Sequence, residues 1–267
     1  MTLSGTEKLY LSPTAALVMQ WASSLYKEGA AREFMANLDL SSADRLVSMC
    51  NRICPWYSEV IVNRKFFIKK LINDRMRSYP DSQVVYLGAG LSPLAIEVLE
   101  GRNHNSGHFF EIDIHSMESK KKLYEKVVPD ISQDISCYHA DITSGIFLNL
   151  LAKDDDFSKE KPSIIVVEGL SYYLSRKEMG KILSDFITDS RSNFVIVEYL
   201  IPYDSITPEK RYIPQQVFGL IKDFAGLSGI ERYSADEMKR MFVERGGEII
   251  GHYSMKEMER DRCGENK

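Results

Sequence analysis

The spacing of hydrophobic residues along the chain changes once, near residue 80. Up to that point apolar residues recur every three or four positions, which is the period of a helix that buries one face. The predicted helices begin at Pro13, cover Ala30–Leu38, begin again at Ser41 and cover about Tyr57–Tyr79. Pro80 ends the last of them. Residues 1–81 are therefore predicted to form a helical N-terminal extension.

Beyond residue 82, short apolar runs alternate with helical segments. The runs that qualify as strands are Gln83–Gly88, His108–Ile114, Ile135–Asp141, Ile164–Gly169, Asn193–Leu200 and Glu248–Ser254. Strands that are apolar almost throughout and alternate with helices are typical of a parallel sheet covered by helices on both faces. The sequence therefore predicts an α/β domain at residues 82–256, followed by a polar tail at residues 257–267.

Composition narrows the range of partners. The 267 residues carry 34 Lys and Arg against 38 Asp and Glu, a net charge of −4, so a positive field that could hold a nucleic acid is not expected. The apolar runs fall far short of the roughly 20 residues that span a bilayer, and no signal peptide is recognisable. The four cysteines form no CxxC pair and have no histidine at zinc-ligand spacing. We expect a soluble, cytoplasmic protein that acts without nucleic acid, membrane or metal.

The first predicted strand runs into a glycine-rich turn, Gly88-Ala89-Gly90. Glycine tolerates positive φ and lets a ligand approach the backbone closely. In an open α/β sheet, ligands bind beyond the carboxyl ends of the strands. The second strand ends in two acids, Glu111 and Asp113, either of which could accept both hydroxyls of a ribose; Asp113, at the strand end, is favoured. This order of motifs predicts a ligand that contains a nucleoside.

Two such ligands compete, a nicotinamide dinucleotide and S-adenosylmethionine. The dinucleotide motif has a third glycine, but Pro93 stands where that small residue is expected, which favours S-adenosylmethionine. Asp141, with Ile142 beside it, follows the third predicted strand, where an acid could accept a hydrogen bond from the adenine amino group. The third strand therefore extends the predicted nucleoside site.

The fourth and fifth predicted strands supply candidates for a reaction centre. Glu168 ends the fourth strand, and Tyr172 and Tyr173 follow it closely. Glu198 and Tyr199 end the fifth strand at the same edge of the sheet. An acid at the end of an apolar strand is costly to bury without a partner, so it calls for a specific role. We predict Glu168 and Tyr172 as the catalytic residues.

In the order of these motifs, the chain resembles the class I S-adenosylmethionine-dependent methyltransferases and, within them, the leucine carboxyl methyltransferase-like family. The resemblance runs from about Leu11 to about Tyr253. It rests on Ser12-Pro13-Thr14-Ala15, on Arg64 in the helix before the first strand, on Leu87–Ser92 and on Val167–Leu174. Members have Asp-Thr where this chain has Ser92 and Pro93, so this turn is expected to contact the cofactor differently.

The resemblance implies a Rossmann-like sheet of six to seven mostly parallel strands, with residues 1–81 as a lid over the cofactor-binding domain. The position of a seventh strand stays open. The resemblance also implies that Arg64 pairs with the methionine carboxylate of S-adenosylmethionine. With the residues named above, the predicted cofactor-binding set is Arg64, Gly88, Ala89, Gly90, Glu111, Asp113, Asp141, Ile142 and Glu168.

The function that this resemblance implies is methyl transfer to an oxygen, a hydroxyl or a carboxylate, of a small molecule. If the acceptor is a hydroxyl, Glu168 could take its proton. If the acceptor is a carboxylate, Glu168 would instead contact the amino group of the cofactor. The alternatives are a carboxyl methyltransferase of a protein C-terminus, a nicotinamide-dependent oxidoreductase and a non-catalytic nucleoside-binding module. The sequence does not predict an oligomeric state.

Overall fold

The computed structural model describes residues 8–100, 102, 107–188 and 192–265. The α-helices are α1 (Pro13–Ala22), α2 (Gly29–Ala36), α3 (Asp44–Ile53), α4 (Ser58–Ser78), α5 (Leu94–Leu99), α6 (Met117–Val127), α7 (Ile146–Leu151), α8 (Arg176–Asp185), α9 (Tyr212–Phe224), α10 (Ala235–Val243) and α11 (Met255–Cys263). The strands are β1 (Leu9–Tyr10), β2 (Leu38–Asp39), β3 (Gln83–Leu87), β4 (Phe109–Asp113), β5 (Ile135–His139), β6 (Ser163–Val167) and β7 (Phe194–Val197). None of these helices combines the length and the hydropathy needed to cross a membrane.

Five strands form one parallel sheet in the order β5-β4-β3-β6-β7. At its centre, Val85 of β3 lies opposite Phe110 of β4 and Ile165 of β6. Every residue of β3 and β6 is buried, as expected for inner strands covered on both faces. The predicted α/β fold with a Rossmann-like, mostly parallel sheet is confirmed, with five strands in place of the predicted six to seven. Strands β1 and β2 form a separate parallel pair in the region predicted to be helical.

The prediction of a strand at Glu248–Ser254 is wrong. Residues 248–253 have no regular secondary structure, and Ile250 is 69% exposed. A strand needs a neighbouring strand to satisfy its backbone groups, and the described residues supply no ladder for this segment. Alternation of apolar and polar residues is a local signal, whereas pairing is decided by the tertiary structure. The segment and β7 instead line the same cavity, described below.

The predicted polar tail at residues 257–267 is largely helical where it is described. Helix α11 starts with a capping box, in which the Ser254 hydroxyl accepts from the Glu257 N–H and the Glu257 carboxylate accepts from the Ser254 N–H. It packs on α4 through polar contacts, including Arg262 Nε to Asn63 Oδ1 at 2.6 Å and an ion pair of Lys70 with Asp261. Because the contact is polar, the sequence shows no apolar stripe that would have predicted it.

Helix α4 joins the N-terminal helices to the sheet. Ile72 and Met76 of α4 belong to the same buried cluster as Leu17 of α1 and Val84 and Tyr86 of β3. The helices before the sheet therefore share one hydrophobic core with it, and α4 is held from both sides, by this core and by α11.

Candidate functional site

The turn after β3 leaves open space at one glycine. Gly88 and Gly90 have φ values of +68° and +47°, in the region that favours glycine. A Cβ atom on Gly88 would lie 3.0 Å from Leu170 Cδ2, whereas none of the described residues has an atom within 4 Å of a Cβ placed on Gly90. Ala89 between them is buried. The turn is therefore packed at Gly88 and open at Gly90, as a surface for a ligand requires.

Asp113 lies directly beside this turn. Its Oδ2 accepts a hydrogen bond from the Gly90 N–H at 2.9 Å, and its Oδ1 accepts one from the His115 N–H at 2.9 Å. The carboxylate is only partly buried. The structure thus brings together the open glycine and the acid at the end of the neighbouring strand, as the motif order predicted.

Glu111, the other acid of β4, lies two residues before Asp113 and contacts α6. It is fully buried, its Oε2 lies 2.7 Å from Lys120 Nζ of α6, and it accepts a hydrogen bond from the Tyr124 hydroxyl at 3.1 Å. Burial raises the pKa of Glu111 against the opposing effect of Lys120. The contacts of Glu111 under α6 are those of a core ion pair, so the geometry does not support the predicted role in binding ribose.

Asp141 follows β5 and is exposed. Its Oδ1 accepts hydrogen bonds from the Thr143 hydroxyl at 2.7 Å and the Thr143 N–H at 2.8 Å, and both lower the pKa of Asp141. Ile142 beside it is buried in the core below the sheet edge. Asp141 thus stands ionised at the same edge as Asp113, one strand further out.

A cluster of buried charges lies at the carboxyl end of β6. Glu168 Oε1 lies 3.0 Å from Arg64 Nε and 3.2 Å from Lys65 Nζ, and Glu168 Oε2 accepts a hydrogen bond from the Tyr86 hydroxyl at 2.8 Å. The side chains of the three charged residues are at most 5% exposed. Lys65 also donates to the Ser92 hydroxyl at 3.2 Å, which ties the cluster to the turn after β3.

The cations of α4 control the charge state of Glu168. Burial alone would raise the pKa of Glu168, but Lys65 and Arg64, together with the Tyr86 hydroxyl, lower it to about 2. Glu168 is therefore ionised throughout the neutral range and is a weak proton acceptor for a reacting hydroxyl.

Glu198, which follows β7, completes the cluster. Its Oε2 accepts a hydrogen bond from the Gly169 N–H at 3.0 Å and lies 3.7 Å from Arg64 Nη1. Burial raises the pKa of Glu198, and Arg64 opposes this effect. The sequence analysis named Glu198 as a candidate, because it is an acid that ends an apolar strand, but did not place it among the predicted catalytic or cofactor-binding residues. The tertiary structure distinguishes the two acids: Glu168 contacts Arg64, Lys65 and Tyr86, whereas Glu198 contacts Arg64 and the Gly169 N–H.

A cavity of about 1090 Å³ opens beside this cluster, between β7, the N-terminal helices and the segment of residues 246–258. Arg64, Tyr172 and Glu198 line it, whereas Glu168, Gly90 and Asp113 do not. Most of the other lining side chains are apolar, among them Leu17, Trp21, Trp56, Val60, Phe67, Phe194, Ile196 and Phe218. The cavity therefore includes Arg64 and Glu198 of the cluster but not the glycine turn.

The groups at this edge fit the S-adenosylmethionine that the resemblance implies. Gly90 and Asp113 offer an open turn and an acid to a nucleoside, and the buried cation Arg64 suits a carboxylate. The Tyr26 hydroxyl is buried without a hydrogen-bond partner among the described residues. The charges of Glu97 and Glu168 act on it, so it lies beside the cluster as a donor that a ligand could satisfy.

Comparison with known proteins identifies solved structures of similar fold. No protein of curated function matches the chain. A solved structure from Thermobifida fusca YX, provisionally described as a methyltransferase, is similar at 14% identity over 88% of this chain and 80% of that one, with a TM-score of 0.56. A DUF574 family protein from Streptomyces avermitilis MA-4680 is similar at 11% identity over 86% and 81%, with a TM-score of 0.57. At these identities the similarity concerns the fold.

The family is shown by the sequence itself. A family model described as leucine carboxyl methyltransferase matches residues 14–187, from the start of α1 to just beyond α8. The match includes Arg64, the glycine turn, Asp113, Asp141 and Glu168. The chain therefore belongs to the leucine carboxyl methyltransferase family and is an S-adenosylmethionine-dependent methyltransferase.

Proposed function

We propose that this enzyme methylates a hydroxyl oxygen of a small, mainly apolar molecule, which binds in the cavity beside β7. The observation that carries the proposal is the cavity itself. Its volume of about 1090 Å³ is slightly above the range of roughly 300–1,000 Å³ typical for small-molecule sites, and its walls are mostly aliphatic and aromatic. Trp21 of α1 and Trp56 before α4 line it, so residues 1–81 would form a lid and part of the acceptor pocket.

The cofactor would bind over the turn after β3, next to the cluster. Gly90 would let the cofactor approach the backbone, and Asp113 would accept hydrogen bonds from the ribose hydroxyls. Asp141 would accept from the adenine amino group, with Ile142 packed beside it. Arg64 would bind the methionine carboxylate as a bidentate donor. These assignments combine the family resemblance with the placement of the open turn, Asp113 and Asp141 at one sheet edge and of Arg64 of α4 in the cluster beside Glu168.

When bound, S-adenosylmethionine supplies a methyl group on a sulfonium sulfur, whose carbon is electrophilic enough for direct attack by an oxygen nucleophile, with S-adenosylhomocysteine as the leaving group. The protein then has two tasks, to align the nucleophile and to exclude water. Tyr172 lines the cavity, is 6% exposed and lies beside Arg64, where it would hold the acceptor in position. The apolar walls would keep water away from the reacting oxygen.

The two buried glutamates, Glu168 and Glu198, would have different roles. Glu168 is held by two cations and a tyrosine hydroxyl and does not line the cavity, so we assign it to the amino group of the cofactor. Glu198 lines the cavity, and burial raises its pKa, which makes it the better proton acceptor. We therefore assign Glu198 the role of taking the proton from the acceptor hydroxyl, a role that the sequence suggested for Glu168.

The nature of the methylated oxygen can be tested by the stability of the product. We expect the purified enzyme, incubated with labelled S-adenosylmethionine and an organic extract of cellular metabolites, to label a small apolar product with a mass gain of about 14 Da. Because an ether resists alkali whereas a methyl ester is hydrolysed to methanol, the label should stay non-volatile after mild alkaline treatment. Volatile label from a small product would indicate a carboxylate acceptor. In a parallel incubation with cell lysate, alkali-labile label in protein would indicate methylation of a protein carboxylate, as expected for a protein C-terminus.

A substitution in the glycine turn tests where the cofactor binds. Gly90→Ala places a methyl group in the open space over the turn, so we expect at least tenfold weaker binding of S-adenosylhomocysteine by calorimetry. Gly226→Ala is the matched control, because Gly226 has a similar φ of +65° and nothing within 4 Å of its Cβ position among the described residues, but follows α9, outside the proposed cofactor site. Equal affinities for the two variants would place the cofactor elsewhere.

A further inference from the structure

Lys65 is a buried cation that the family resemblance does not assign. Its side chain is 5% exposed, and Nζ lies 3.2 Å from Glu168 Oε1, 3.5 Å from Glu168 Oε2 and 3.2 Å from Ser92 Oγ. A lysine is almost never fully buried unless it is paired, so this contact must compensate the cost of removing the charge from water. Lys65 thus acts on the same carboxylate as Arg64, from the next position of α4.

The formal charges of the cluster around Glu168 sum to zero. It contains two cations, Arg64 and Lys65, and two acids, Glu168 and Glu198. The titratable groups that face Glu168 or act on it are Arg64 and Lys65 of α4, Tyr86 of β3, Glu97 of α5, Glu198 after β7, and Tyr26. Of these, only Arg64 and Lys65 carry a positive charge.

A ligand carboxylate bound by Arg64 would change this balance of charges. If Arg64 binds the carboxylate of the cofactor, the positive charge available to Glu168 is shared with the ligand. Among the groups of the protein, Lys65 is then the full counter-charge left to Glu168 for attracting the ligand ammonium, with the Tyr86 hydroxyl as a neutral donor. Without Lys65, burial would raise the pKa of Glu168 against less opposition, and a protonated carboxyl could no longer attract an ammonium group.

We propose that Lys65 is a positioning residue for the amino-acid end of the cofactor: it keeps Glu168 ionised for the ligand ammonium and leaves Arg64 available for the ligand carboxylate. This inference rests on the proposed assignment of Arg64. The direction of the Glu168 pKa agrees with it, since burial raises that pKa and the Lys65 charge opposes the rise, as does the Arg64 charge. The contact with Ser92 fixes the ammonium of Lys65 near the turn after β3.

The test compares a ligand that has the amino-acid end of the cofactor with one that lacks it. S-adenosylhomocysteine carries the amino-acid end, and 5′-methylthioadenosine carries the nucleoside without it. Calorimetry between about pH 5 and pH 8 should show affinity of the wild-type protein for S-adenosylhomocysteine that changes little, because Glu168 stays ionised with its pKa at about 2. Lys65→Met should weaken this binding about tenfold at pH 7, and further as the pH falls and Glu168 becomes protonated.

Three controls separate this role from a structural one. Lys65→Arg should restore both the affinity and its flat pH profile, and Lys65→Gln, which keeps a hydrogen-bond donor, should behave like Lys65→Met and serves if that variant fails to fold. Lys69→Met removes a neighbouring lysine of α4 that pairs with Glu97 at 3.2 Å, and it should leave both ligands unaffected. Binding of 5′-methylthioadenosine should be the same in every variant.

The outcomes distinguish this inference from the function on which it rests. If wild-type protein binds neither ligand, the assignment of the cofactor site fails. If wild-type protein binds S-adenosylhomocysteine and the uncharged variants bind it equally well at all pH values, only the role of Lys65 fails. If those variants lose both ligands to the same extent, Lys65 stabilises the site as a whole, which also overturns the inference.

Discussion

Replacing Glu198 with glutamine is expected to lower kcat for methyl transfer by about 10²–10⁴, with little change in the affinity for S-adenosylhomocysteine. The amide retains the size of the carboxylate and an oxygen that can accept the Gly169 N–H, but it cannot take the proton of an acceptor hydroxyl. The measurement is turnover of the acceptor found by the mass-gain experiment, with cofactor affinity determined separately by calorimetry.

The pH dependence of this rate follows from the surroundings of Glu198. A base works only when it is deprotonated, and burial raises the pKa of Glu198 above its ordinary value. The wild-type rate should therefore rise with pH through that raised pKa and then level off, and Glu198→Gln should remove the rise. Glu168→Gln is the matched comparison, and it should weaken cofactor binding instead. A Glu198→Gln enzyme with unchanged kcat would show that no base is needed, as for a carboxylate acceptor.

Replacing Arg64 with alanine is expected to weaken S-adenosylhomocysteine binding by about 2–4 kcal/mol, roughly 30- to 1000-fold. The guanidinium is buried and is the cation proposed to meet the ligand carboxylate. Adenosine has no carboxylate, so its weaker affinity should barely change. Both affinities can be measured by calorimetry on the same protein sample, which removes differences in folding from the comparison.

A second arginine of the same helix provides a control for Arg64→Ala. Arg75 stacks between the rings of Tyr79 and Phe194, 3.8 and 3.7 Å from their centroids, far along α4 from the charge cluster. Arg75→Ala should leave the binding of both ligands intact. Equal losses of S-adenosylhomocysteine and adenosine in Arg64→Ala would mean that Arg64 only compensates Glu168 and Glu198 and does not touch the ligand.

Much of the arrangement at the sheet edge was predictable because parallel strands end at one edge. The glycine turn, Asp113 and Asp141 follow three successive predicted strands, and β3, β4 and β5 are neighbours in the sheet. The direct contact between Gly90 and Asp113 follows from this adjacency. Alternation along β4 puts Glu111 and Asp113 on the same face, so periodicity could not separate them. The contact with α6 separates the two acids, because Glu111 pairs with Lys120 of α6 whereas Asp113 contacts the glycine turn.

The last part of the chain shows where local pattern is insufficient. Glu248–Ser254 alternates like a strand but has no ladder to join, and the polar residues after it form a helix because α4 offers partners for their charges. Both outcomes depend on what lies next to the segment. Hydrophobic spacing contains no information about an absent strand or about a polar docking surface.

By itself, the sequence determined the α/β fold, the order of the motifs and the family, because apolar spacing and short motifs are properties of neighbouring residues. Only the tertiary structure decided how the charges are shared. Arg64 and Lys65 are adjacent in the chain, but Glu168 and Glu198 reach them from strands about a hundred or more residues away. The protonation of a buried acid depends on its burial and on nearby charges. Because these charges come from residues distant in the sequence, only the tertiary structure shows them.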